Sequence, residues 1–108
     1  MWQSNFLEIG SLKFHYSRTG GEKPPLVLAH GITDNGLCWT SVARSLESDY
    51  DVIMLDARGH GLSDAPDTGY DWLTFVDDLH DGIQALGLDK PPVLGHSMGA
   101  LDALLLAA

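Results

Sequence analysis

The chain has 108 residues, 44% of them hydrophobic, which suits one ordinary domain with its own core. Fifteen acidic residues against six basic ones leave a formal net charge of −9 with no basic stripe, so the composition argues against nucleic acid or an anionic membrane as a partner, and solubility is the simplest role for the acidity. The single cysteine, Cys38, excludes an internal disulfide.

The first residues, Met1-Trp2-Gln3-Ser4-Asn5, carry neither a basic segment nor an apolar core, so no secretory leader is expected, and no apolar run approaches bilayer length. A cytoplasmic location is the expectation. Phe6–Ile9, Gly10-Ser11 and Leu12–Tyr16 then read as a β-hairpin. Leu12, Phe14 and Tyr16 alternate with Lys13 and His15, which places His15 on the wet face. After a Gly/Pro-rich loop, Leu26–Ala29 is continuously apolar, as a strand buried on both faces requires. It runs into the loop His30-Gly31-Ile32-Thr33-Asp34-Asn35-Gly36.

Trp39 to Leu46 predicts a short helix with Trp39, Val42, Ala43 and Leu46 on its inner side. Tyr50–Leu55 is a second buried strand, followed by the loop Asp56-Ala57-Arg58-Gly59-His60-Gly61-Leu62-Ser63 and its extension to Gly69. A longer helix spans roughly residues 71–86, its apolar face formed by Trp72, Phe75, Val76, Leu79, Ile83 and Leu86, with His80 outside it and Gly87 as its stop. Pro92–Leu94 is a third buried strand. Strands alternating with helices imply βαβ units and a mainly parallel sheet.

The chemistry concentrates in Gly95-His96-Ser97-Met98-Gly99, set between that strand and the helix-forming run Leu101–Ala108. In a strand–turn–helix context this pattern is a nucleophile elbow, a sharp turn that strains Ser97 and lifts its hydroxyl clear of the sheet. Side chains at 95 and 99 would collide across the turn, so both positions are glycine. The helix start offers unpaired N–H groups beside Ser97, where a developing oxyanion can be held.

His30-Gly31, Asp56-x-Arg58-Gly59-His60-Gly61-x-Ser63 and Gly95–Gly99 come in this order, each at a predicted strand end. Together they resemble the N-terminal half of the α/β-hydrolase superfamily, in its serine esterase and lactonase-like branches. The resemblance implies Ser97 as nucleophile and the Met98 N–H as one oxyanion donor, with the second from the backbone of Ile32, ahead of Thr33. It implies that Asp56, Arg58 and His60 brace the floor of the site and that His30 fixes its loop by hydrogen bonding. His96, beside the nucleophile, is turned away from it by the elbow. Asp102 stands where the family usually has an apolar or small residue; a carboxylate there suits the helix dipole.

Serine needs a base, and in this fold the triad runs Ser, then Asp or Glu, then His. After Ser97 the chain offers Asp102 but no histidine. The helical run to Ala108 also lacks a stop signal, and Pro92–Leu94 would leave an apolar sheet edge. These features predict a partial hydrolase domain, residues 1–108, that lacks the acid, the histidine and any cap. The expected function of the longer protein is hydrolysis of small-molecule carboxylic esters or lactones through an acyl-enzyme on Ser97. The alternatives are carbon–carbon bond hydrolysis or perhydrolysis on the same fold, or a non-catalytic binding protein. Relatives that open epoxides carry aspartate at the nucleophile position, so Ser97 speaks against that reaction. No cofactor is expected, since the Gly59–Gly61 spacing is too short for a dinucleotide fingerprint, and no metal-ligand spacing occurs.

Overall fold

The computed structural model describes residues 2–108. Strands β1 (Gln3–Ile9), β2 (Leu12–Arg18), β3 (Pro25–Ala29), β4 (Asp51–Leu55) and β5 (Val93–Gly95) form one sheet in the order β1-β2-β4-β3-β5. The part built from βαβ alternation is parallel, with Val27 opposite Ile53 on one side and Val93 on the other. The opening hairpin adds an antiparallel edge, pairing Gln3 with Arg18 through Ile9 with Leu12, and β2 joins β4 only over Tyr16–Arg18.

The double-sided hydrophobicity of β3 and β4 has its counterpart in two cores. Val27 and Ile53 face α2 (Trp72–Ala85), meeting Leu79 and Ile83, with Leu106 of α3 (Met98–Ala107) against them. Leu28, Val52 and Met54 face the other way and meet Ala43 of α1 (Thr40–Leu46). Residues 27, 28 and 52–54 are fully buried, consistent with strands covered on both faces. The helix expected from Trp39 begins instead as a 3₁₀ turn, Gly36–Trp39, capped by the Asn35 side chain accepting from the Leu37 N–H. Val42 and Trp72, expected on inner faces, stand exposed, Trp72 at 56%. Gly87, at φ +70°, follows α2 in the left-handed conformation that ends helices.

His15 departs most from the hydropathy pattern. It is 4% exposed, not solvated. Beyond Tyr16 the loop after β4 takes over as the neighbour of β2: the Asp56 and Asp64 N–H groups donate to the His15 and Lys13 carbonyls at 2.9 and 2.8 Å. The His15 N–H donates to Ser63 Oγ at 2.8 Å. The polar face of β2 is therefore roofed by a loop more than forty residues away, and its histidine is held by partners instead of water.

Gly82 sits buried in mid-α2, where glycine costs a helix about 1 kcal/mol relative to alanine. A Cβ there would meet Leu55 Cδ1 at 3.7 Å and Ile9 Cδ1 at 3.9 Å, both ordinary contacts. Gly82→Ala should therefore stabilise the protein by about 1 kcal/mol. Urea unfolding is expected to show a higher midpoint at unchanged slope.

Candidate active site

Ser97 is the N-terminal cap of α3, with φ 56° and ψ −115°. Such a backbone state costs a non-glycine residue on the order of 1–3 kcal/mol and persists only when its surroundings impose it. Here they do. A Cβ on Gly95 would strike the Gly99 carbonyl, and one on Gly99 would strike the Ala29 carbonyl and come within 2.7 Å of the His30 carbonyl. The His96 N–H donates to the Ala29 carbonyl at 3.1 Å, and the Gly99 N–H closes back on the His96 carbonyl at 3.0 Å. The elbow is thus clamped between the end of β3 and the first turn of α3.

The β3 loop lies against it. A Cβ on Gly31 would be 3.2 Å from Ser97 Cβ and 3.3 Å from His96 Nδ1. Gly31 opens a tight turn in which its carbonyl accepts from the Asp34 N–H at 3.2 Å, and Thr33 adopts φ 68°, unusual for a β-branched residue. The same carbonyl accepts from His30 Nδ1 at 2.7 Å, while His30 Nε2 accepts from the Ala57 N–H at 3.0 Å. Both ring nitrogens are committed, so His30 is neutral. Burial, the largest effect on it, pushes its pKa below the ordinary histidine value.

Asp56, 4% exposed, is the hub of the floor. Its carboxylate accepts from the Gly36 N–H at 2.6 Å, from His15 Nδ1 at 2.8 Å and from the Leu62 N–H at 3.1 Å. His15 Nε2 in turn meets Ser4 Oγ at 2.6 Å, so one carboxylate ties β1, β2 and two loops together. Arg58 donates from Nε and Nη2 to both carboxylate oxygens of Asp78 at 2.6 and 2.8 Å, fastening the same loop to α2 and raising the guanidinium pKa. His60 Nδ1 donates to the Arg58 carbonyl at 2.9 Å. His80 lies beside Asp81 on the exposed face of α2.

Ser97, Met98 and Ile32 line one open groove of about 470 Å³, completed by Tyr70, Trp72, Phe75 and Leu101. The sequence pattern assigned Trp72 and Phe75 to a core stripe and passed over Tyr70 and Leu101. The signal for this wall is an aromatic cluster at the loop-to-helix junction after β4, on the side of the sheet where Ser97 emerges.

A family model described as the alpha/beta hydrolase fold matches residues 24–108. The chain belongs to the α/β-hydrolase fold family. It is 42% identical over 98 residues to the N-formylmaleamate deformylase of Pseudomonas putida, covering 90% of this chain and 37% of that protein. To Epoxide hydrolase 4 of Mus musculus it is 36% identical over 99 residues, covering 89% and 28%. Among solved structures, the thioesterase domain from the curacin biosynthetic pathway superposes with a TM-score of 0.91 at 35% identity, covering 99% of this chain and 41% of that one. The chain therefore spans between 28% and 37% of the length of these two curated relatives. No helix among the described residues is long and apolar enough to cross a membrane, and no cluster of three or more metal-ligating side chains occurs among them.

Asp102, set in the α/β-hydrolase elbow helix, is 5% exposed, and its Oδ1 is buried without a partner. It lines a small, partly open pocket of about 40 Å³ with Asp78, His30 and Phe75. Burial, reinforced by the nearby Asp78 charge, pushes its pKa up to about 6. The expected help from the helix dipole is absent, because Asp102 lies in the second turn of α3, past the first turn where the dipole acts, and loss of hydration sets its pKa.

Two predictions follow from these carboxyls. Asp56→Asn replaces a three-way acceptor with a group that presents two donors to one side of the same cluster, and should cost about 2–4 kcal/mol in chemical denaturation. Asp102 works in the opposite sense. Its folded-state pKa lies above the ordinary 3.8, so the folded chain binds the proton more tightly, and stability present below about pH 4 is lost as pH rises through about 6. Asp102→Asn should melt several degrees above wild type at pH 8 and lose that advantage at pH 4.

Proposed function

We propose that the protein carrying this chain is a serine hydrolase of small-molecule carboxylic esters or lactones, acting through an acyl-enzyme on Ser97. The observation that carries the reading is the strained, glycine-clamped elbow that presents Ser97 in a groove shared with Ile32 and Met98. Ser97 Oγ would attack the carbonyl carbon while a base removes its proton. The carbonyl oxygen, becoming negative, would be held by the Met98 and Ile32 N–H groups; one such donor is typically worth a hundred- to a thousandfold in rate, roughly. Collapse of the tetrahedral species expels the leaving group, and water then releases the acyl group.

The geometry of the Gly31–Ile32 peptide supports the second donor. Its carbonyl is pinned from one side by His30 Nδ1 and the Asp34 N–H. In a trans peptide the N–H points opposite to the carbonyl, so the Ile32 N–H is directed away from those partners by a group that cannot rotate. Placing His30, Asp56, Arg58 and His60 as braces for this arrangement, and not as proton carriers, accords with the hydrogen bonds each of them makes.

We assign the base to sequence beyond these residues. Of the five histidines, His15, His30 and His60 have ring nitrogens engaged in structural hydrogen bonds, His80 lies beside Asp81, and His96 flanks Gly31. The extra length of the relatives supports the same assignment. The name of the Pseudomonas putida relative adds deformylation to the hydrolyses worth assaying, while Ser97 itself disfavours epoxide opening, for which the family pattern uses aspartate. The expected result is that the full-length protein is labelled stoichiometrically by a fluorophosphonate and that Ser97→Ala abolishes labelling. An unlabelled but folded wild-type protein would remove the reading.

A further inference from the structure

The groove beside Ser97 has a chemical character that narrows the substrate beyond "ester". Its side chains are Ile32, Tyr70, Trp72, Phe75, Met98 and Leu101 around the Ser97 hydroxyl. None of them is charged. Two other polar side-chain groups stand in the groove, the Trp72 indole N–H and the Tyr70 hydroxyl, and the hydroxyl is already spent, donating to the Pro66 carbonyl at 2.5 Å. Two of the wall's rings, Tyr70 and Phe75, are also held in place before any ligand arrives. The ring centroids of Tyr70 and Phe75 are 6.1 Å apart, those of Phe75 and His60 6.5 Å, and those of His60 and His30 5.1 Å, so a run of packed rings connects the groove to the β3 loop.

An anionic substituent would find no counter-charge in this wall. None of the six basic residues lines the groove. Arg58, on the same loop as Tyr70, has its guanidinium bound to both oxygens of Asp78, and Arg18 is paired with Asp51. The surrounding chain carries a net charge of −9, which raises the cost of bringing a second negative group to it. An apolar group, by contrast, would remove the exposed faces of Trp72 and Tyr70, 56% and 44% accessible, from water.

We propose that this groove receives an uncharged apolar or aryl substituent of the scissile carbonyl compound, and that Trp72 sets the preference for it over an anionic one. The inference rests on the serine-hydrolase reading, and the two are separable. A boronic acid has a single substituent and is captured by an active serine whichever side of the carbonyl that substituent mimics. With the full-length protein, phenethylboronic acid is expected to inhibit on the order of tenfold or more tightly than 2-carboxyethylboronic acid. Trp72→Ala should narrow that ratio about tenfold, and Trp72→Arg should strengthen inhibition by the carboxyethyl compound. Equal or tighter inhibition by the carboxyethyl compound in the wild type, which needs no variant to fold, would overturn the proposal. A ratio unmoved by Trp72→Ala would overturn the assignment to this groove. Fluorophosphonate labelling of Ser97 alongside either result means that the groove inference alone has failed. Absence of labelling together with absence of boronic acid inhibition means that the serine-hydrolase reading has failed and taken this one with it.

Discussion

The site depends on how closely the first turn of α3 approaches the end of β3. Gly99 lies directly against the Ala29 and His30 carbonyls, and Gly95 against the Gly99 carbonyl, so no side chain can stand at either position without moving backbone. That approach leaves Ser97 only a strained path between strand and helix. The strain is held in place by hydrogen bonds on both sides of it, from His96 back to Ala29 and from Gly99, Ala100 and Leu101 to the His96 and Ser97 carbonyls. The strain is thus distributed over well-made secondary structure, where it can persist. It also fixes the direction of the Ser97 Cα–Cβ bond by backbone alone.

A second constraint operates on the floor. Burying a carboxylate is expensive unless its lone pairs are taken up, and Asp56 has three donors from three different parts of the chain. Asp102 is the counter-example in the same fold. It is equally buried but partnerless at Oδ1, and its pKa climbs where hydrogen bonding would have held it down. The contrast separates a carboxylate that organises loops from one that the fold tolerates. The same economy of charge bears on the groove: Arg58, on the loop that carries Tyr70, is committed to Asp78, and the side chains lining the groove with Ser97 are uncharged.

What could be read from the sequence divides along the range of the interactions. The strands β3 and β4, the helix over 72–85, its glycine stop and the elbow all follow from local pattern, because hydropathy, helix period and turn chemistry are properties of neighbours in the chain. His15 could not be read that way. Alternation along β2 correctly puts it opposite Phe14, but what covers that face is the loop carrying Asp56 and Ser63, and no local signal announces a roof. Trp72 failed for the reverse reason. It has the right helical spacing for the α2 stripe, yet it is the first residue of α2 and stands exposed in the groove with Ser97 instead of in the core. Asp102 looked favourable from its place near a helix start. Burial, which only the packing of α2 and α3 around the pocket creates, reversed the sign.

On the proposed serine-hydrolase reading, these 108 residues divide the work of acyl transfer unevenly. Orientation of the nucleophile, presentation of the Ile32 and Met98 N–H groups and the apolar wall are all short-range constructions, each completed within two or three neighbouring elements. Proton transfer is different: it needs an imidazole with one nitrogen free and one oriented. The buried histidines of this chain have been drawn into the opposite use, with both nitrogens bound in His15 and His30. A ring so committed is a rigid brace because it cannot exchange its proton without breaking a bond to the backbone or to a carboxylate. The structural role of these histidines and their unfitness as bases are one property.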